Sequence, residues 1–323
     1  MEGQAMKIEI VTCYKAGTMP IMEVWARSMA RHTSGVDYGA TVLVKRGEAG
    51  EWAERGPWMS AFNVVEVDVG GDEVSVARVH GKMLDCYIPS QVKAEFVCTM
   101  DSDCFPVADG WLQGLVDMIE GGSTVAGILH PWAPPPLDMK KTKLEWRVRS
   151  QHCWNSTHVA CQIVRMRDLE GLGVKFSEGD DTGLLIPKKA LEKGLKVSGY
   201  MPTRCPKSEK GKLNPEFNRY VSVVYGDKVY HLGGYTRVSM GDADVYVEEF
   251  EWAKKRVIEE GGAEFLLDDY MSHRFAFDRE EEVAKEKMDR IFGMSGGRFL
   301  AVDGNTLSIR GGIWSEPKEV LLA

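Results

Sequence analysis

Between residue 7 and about residue 130, short β-branched runs alternate with segments of helical spacing, and this constrains the fold more than any other feature of the chain. "KIEIVTCY" reads as a first strand. "MPIMEVWARSMARHT" follows, with Pro20 near its start and Met22, Trp25 and Met29 at helical intervals, so it reads as the first helix. Further strands are expected at "ATVLVKRG", "FNVVEVDVGG", "AEFVCTM" and "TVAGILH". Between them fall a short helix at "EWAERG", a longer one at "SVARVHGKMLDCYIP" that Pro89 should end, and "VADGWLQGLVDMIEGG", closed by glycines. Such a succession predicts a three-layer α/β/α sandwich around a mixed, mostly parallel sheet.

After the proline-rich "HPWAPPPLDM" the regularity weakens. "HVACQIVRM" reads as a strand, and "DDTGLLIPKKALEKG" runs from acids into a helix whose register Pro187 leaves open. "KVYHLGGYTRV" is a strand entering a glycine turn. From residue 241 the composition turns helical and charged ("VEEFEWAKKRVIEEGG", "REEEVAKEKMDRIFGM"), before a terminal hairpin at "RFLAVDGNTLSI". The expected division is therefore a main domain over 1–240 and a mainly helical extension over 241–323. Apolar stripes in that extension (Phe250, Trp252 and Val257; Phe265, Leu266 and Tyr270) read as docking surface, or as a face for acceptor selection or dimerisation.

Composition excludes several classes. With 323 residues, 44% of them hydrophobic, the chain can bury a substantial core. It has no apolar run near the roughly 20 residues of a membrane span, and "MEGQAMKIEIVTCYK" lacks a signal-peptide pattern, so a cytoplasmic location is expected. The seven cysteines (Cys13, Cys86, Cys98, Cys104, Cys153, Cys161 and Cys205) form no C-x-x-C pair, which argues for reduced thiols. "HCWNSTHVAC" gathers four zinc-competent residues, His152, Cys153, His158 and Cys161, at a spacing that matches no zinc motif. A net charge of −8 gives no general attraction to nucleic acid, although "KKTKLEWRVR" (140–149) and "KSEKGK" (207–212) are local basic clusters.

Chemistry concentrates at "TMDSDCF". In an extended segment residues i and i+2 share a face, so Asp101 and Asp103 can converge where a buried strand reaches the surface. Paired carboxylates suit a hard cation such as Mg²⁺ or Mn²⁺, which would bridge to phosphates. Spacing alone decides nothing, because Asp242 and Asp244 repeat it in "GDADV" with no strand before them. Asp180 and Asp181 precede a helical pattern, where acids can also serve as caps. His231 ends a strand ahead of Gly233 and Gly234, which allow close approach to a phosphate, and Arg237 follows with a charge to neutralise one.

In this order, the pieces resemble the GT-A-fold nucleotide-sugar glycosyltransferases over residues 7–240. The resemblance implies that Asp101 and Asp103 hold Mn²⁺ or Mg²⁺ against the donor diphosphate and that His231 is a further ligand. The family's acidic pair, commonly Glu-Asp, maps onto Asp180 and Asp181, with Asp181 the expected base for an inverting transfer; the first member here is Asp. Thr12 and Tyr14 fall where this fold meets the nucleotide base, while Gly233, Arg237 and Lys82 fall near the phosphates. A UDP-sugar is the expected donor, and the acceptor a glycan or other hydroxyl. Trp132 and Trp154 fall on loops around the expected cleft, where they would line a sugar pocket or cap the core. Competing readings are a DNA-modifying glycosyltransferase that uses the basic clusters, a sugar-phosphate nucleotidylyltransferase, for which the glycine-rich basic loop is missing, and a noncatalytic sugar-nucleotide-binding module.

Overall fold

A computed structural model of the 323-residue chain describes residues 7–48, 50, 60–70, 76–129, 157–179, 182–200, 202–206, 223–232, 270–272, 298–303 and 306–310. In chain order the first elements are β1 (Ile8–Tyr14), α1 (Met19–His32), β2 (Tyr38–Lys45), β3 (Asn63–Val67) and α2 (Val76–Gln91). Next come β4 (Phe96–Met100), β5 (Cys104–Pro106), α3 (Trp111–Glu120), β6 (Val125–Leu129), β7 (Thr157–Arg165), α4 (Met166–Leu172) and α5 (Leu185–Glu192). The series ends with β8 (Lys196–Tyr200), β9 (Pro202–Pro206), β10 (Val223–Tyr225), β11 (Val229–His231), β12 (Tyr270–Ser272), β13 (Arg298–Asp303) and β14 (Thr306–Arg310).

Nine strands form one sheet in the order β13-β14-β8-β6-β7-β4-β1-β2-β3. The ladders β3-β2-β1-β4 and β6-β8 are parallel, and β7 and β14 are the strands that run against the rest. The sheet is thus mixed and mostly parallel, as the alternating sequence predicts.

Period-two alternation sorts the strand residues into two cores. Ile8 and Ile10 of β1, Val42 and Val44 of β2, and Phe96, Cys98 and Met100 of β4 pack on one face with α1 and α3. Val11, Leu43 and Val97 point the other way, toward α2, α4 and α5. Helices therefore cover both faces, and buried indoles anchor the first: Trp25 and Trp111 are fully enclosed, Trp111 Nε1 donating to Thr33 Oγ1 at 3.0 Å.

A smaller antiparallel sheet, β12-β9-β10-β11-β5, begins directly after the D-x-D segment. Its β5-β11 ladder pairs His231 with Cys104. Among the described residues, no helix is long and apolar enough to cross a membrane.

Local departures from the sequence reading have identifiable causes. Pro89 does not end α2, which continues to Gln91. Near a C-terminus the missing N–H forfeits a single helical bond; the Ser90 hydroxyl donates to the Cys86 carbonyl at 2.9 Å, and Val92 N–H reaches Ile88 O at 3.2 Å. Pro187 is accommodated in the first turn of α5, where the N–H of its position would have no helical partner. Tyr270, read as part of a helical stripe, lies in β12. The segment "EWAERG" and both charged helical patterns after residue 241 lie outside the described residues. The terminal hairpin is present as β13 and β14.

Candidate active site

The strand order turns back on itself at β1: β2 and β3 extend the sheet on one side and β4 returns to the other. Such a reversal leaves a crevice beyond the carboxyl ends of β1 and β4. All five residues of β4 are buried, and the chain leaves it directly at Asp101. The turn is fixed by backbone bonds: Asp101 N–H donates to Ala160 O and Cys104 N–H to Asp101 O, each at 3.0 Å. β5 then recruits β11, and Leu232 N–H donates to Asp103 O at 2.9 Å. Pairing of two three-residue strands thus brings a histidine 128 positions downstream next to the second aspartate.

One donor atom each from Asp101, Asp103 and His231 lies within 4.8 Å of the others. His231 Nε2 stands 3.7 Å from Asp103 Oδ1, and both side chains are more than nine-tenths buried. Asp101 Oδ1 is buried and accepts no hydrogen bond. Burial raises the Asp101 pKa, the charge of His80 opposes that shift, and the neighbouring Asp103 charge adds to it. Two oxygens and one imidazole nitrogen, with an orphaned carboxylate oxygen among them, fit a divalent cation such as Mn²⁺.

Two histidines join the site that the D-x-D reading did not include. His80 Nδ1 of α2 lies 3.7 Å from Asp101 Oδ1. The His158 ring of β7 sits 5.6 Å from that of His231, and its Nδ1 accepts from Ala160 N–H at 3.1 Å, which places a neutral ring's proton on Nε2. His158 had a sequence signal as part of the zinc-competent cluster. His152 and Cys153 of that cluster lie outside the described residues, while Cys161 is fully enclosed in the first core. Cys104 is buried there too, and burial pushes its thiol up to about 11, the charges of Asp101 and Asp103 adding to the effect.

The other expected site residues are distributed unevenly. Thr12 is buried near the end of β1, with no hydrogen-bond partner for Oγ1. Tyr14 is 3% exposed and packs into the core beneath α1. Lys82 is half-buried two residues after His80 on α2, a spacing that does not share a helical face. Asp180, Asp181, Gly233 and Arg237 lie outside the described residues, as do Trp132, Trp154 and both basic clusters.

The stretch that leads to the acidic pair is firmly held. Asp85 of α2 accepts from Phe176 N–H at 2.7 Å, Ser177 N–H at 3.1 Å and Ser177 Oγ–H at 2.5 Å. Gly81 lets the helix press on this stretch, since a Cβ there would lie 2.6 Å from Ser177 Cα. Beyond the pair, Gly183 has φ +65° and would carry a Cβ 3.1 Å from Val159, next to His158 in β7. The helix that presents His80 is thus the one that anchors residues 176 and 177.

No protein-family model and no curated protein matches the chain. Solved structures do match. The mannosyltransferase PcManGT from Pyrobaculum calidifontis, in complex with GDP-Man and Mn²⁺, is 14% identical at a TM-score of 0.40, over 60% of this chain and 55% of its own. The chain therefore spans little more than half the length of that enzyme. TarS from S. aureus, residues 1–349, is 15% identical at a TM-score of 0.42, over 79% of this chain and 73% of its own. The same segment of TarS with UDP-GlcNAc gives 18% identity and a TM-score of 0.42, over 67% and 62%.

Proposed function

We propose that this chain is a metal-dependent glycosyltransferase that moves a sugar from a nucleoside-diphosphate sugar to an acceptor hydroxyl. The observation that carries the reading is the convergence of Asp101, Asp103 and His231 within 4.8 Å, beyond the carboxyl end of a strand in a mostly parallel sheet. A lone D-x-D would be a polar turn; a third donor brought in by a separate sheet is not required by any turn.

Asp101 and Asp103 would bind Mn²⁺ or Mg²⁺ through carboxylate oxygens, and His231 through Nε2. The bound cation would supply stabilisation of negative charge on the departing nucleoside diphosphate. Gly233 would let the backbone approach a phosphate, and Arg237 would share its charge. Thr12, near the carboxyl end of β1, would offer its hydroxyl to the nucleotide. Asp181, with Asp180 beside it, would accept the proton of the acceptor hydroxyl as that oxygen attacks the anomeric carbon, which gives inversion. A UDP-sugar is the proposed donor.

The test is a panel of UDP- and GDP-sugars incubated with Mn²⁺, Mg²⁺ or EDTA and scored for nucleotide release. Release from at least one donor, lost with EDTA and in Asp181→Asn, is expected. If no donor is turned over or bound with either metal, the proposal fails.

A further inference from the structure

We propose that His80 is a positioning residue for the cation site, holding the Asp101 carboxylate ready to ligate. The inference rests on the metal reading above. Ligand atoms of one ion stand about 2.0–2.6 Å from it, so any two are at most about 5 Å apart. His80 does not belong to the set whose donor atoms lie within 4.8 Å of one another, although its Nδ1 is 3.7 Å from Asp101 Oδ1. It therefore approaches Asp101 from outside the ligand set.

The 3.7 Å separation is within ion-pair range, and a side-chain shift of about 0.8 Å would bring it to hydrogen-bond length. The acceptor is in place, since Asp101 Oδ1 is buried and accepts no hydrogen bond. Metal-ligating carboxylates are held by outer partners of this kind, whose loss costs about 10–100-fold in metal affinity.

The position of His80 is itself constrained. Its neighbour Gly81 presses on Ser177, Asp85 one turn further on takes three bonds from residues 176 and 177, and Met83 and Leu84 are buried in the second core. The imidazole is thus presented by a helix clamped at both core and loop, as a positioning group needs.

The experiment is an electron paramagnetic resonance titration of free Mn²⁺ against wild type, His80→Ala, His80→Asn and His80→Gln, alone and with UDP, beside urea unfolding of each metal-free protein. Asn places a donor where Nδ1 lies; Gln places one further out. The expected result is about 10–100-fold weaker Mn²⁺ binding in His80→Ala and His80→Gln, affinity within about threefold of wild type in His80→Asn, and equal metal-free stability in the two amide variants. Unchanged affinity in His80→Ala, or an equal loss in Asn and Gln, overturns the inference alone. No Mn²⁺ uptake by wild type, with or without UDP, overturns the metal reading and the inference with it.

Discussion

Asp101 is ionised at a cost, because burial favours its neutral form and Asp103 lies close by. Its pKa is raised above 3.8, so the metal-free folded state holds that proton more tightly than the unfolded chain. Asp101 thus favours folding at low pH and loses that contribution as pH climbs from 3.8 through the raised pKa. A bound cation reverses the balance. Mn²⁺ at 100 times its Kd should add about 2.7 kcal/mol to unfolding at neutral pH, an increment that vanishes as acid protonates Asp101. Urea denaturation across pH with and without MnCl₂ checks this; in Asp101→Asn the increment should be absent, and its survival there would count against the site. Glu9 follows the same physics without a metal: burial raises its pKa while bonds from Thr41 and Tyr87 oppose the shift. Glu9→Gln keeps an acceptor for Thr41 and removes the desolvated charge, so the fall in stability between pH 4.5 and neutrality should flatten. An unaltered pH profile would contradict that account. The aspartates were legible because strand periodicity aligns i and i+2, and His231 because it ends a strand before glycines. His80 was not legible, since a helical residue 21 positions before Asp101 leaves no local pattern.

At the scale of elements, α2 does more than cover the sheet. Its Asp85 satisfies two backbone donors and a hydroxyl at residues 176 and 177, and leaving partly buried N–H groups without an acceptor costs about 1–3 kcal/mol. Asp85→Ala should therefore lower the unfolding free energy by roughly 2–3 kcal/mol. Asp85→Asn, which keeps one acceptor, should lose less. Equal urea midpoints for Asp85→Ala and wild type would show that the clamp is incidental. The sequence displayed α2, α1 and the parallel strands because each has several turns or alternations from which to read a period. β5 and β10 are three residues each, too short to carry one, and exist because partner strands complete them. Pro89 misled for a related reason, as a proline's effect depends on how many helical bonds remain after it.

At the scale of the whole molecule, the last strands close what the first ones build. β14 pairs antiparallel with β8 across Thr306–Arg310 and Lys196–Tyr200, while β12 pairs with β9 in the smaller sheet. The expected division near residue 240 follows charge and helical spacing, which both rise there, and the ladders of β12 and β14 join residues on either side of it. The ladders decide what truncation should do. A chain ending at 240 loses β14 and leaves β8 as an edge, although Val197, Ser198 and Tyr200 are buried in the 323-residue chain. Five register pairs are lost from β8 and three from β9, and the newly open β8 is a template for intermolecular pairing. At about 0.5–1.5 kcal/mol per net hydrogen bond, the truncated chain should be less stable by a few kcal/mol. It should also associate with rising concentration, whereas removal of residues 311–323 alone keeps the hairpin and should leave both properties unchanged. Urea unfolding with analytical ultracentrifugation on the two truncations checks this. If the 1–240 chain proves monomeric and as stable as the 323-residue chain, the β13-β14 hairpin is dispensable and the main domain stands without it.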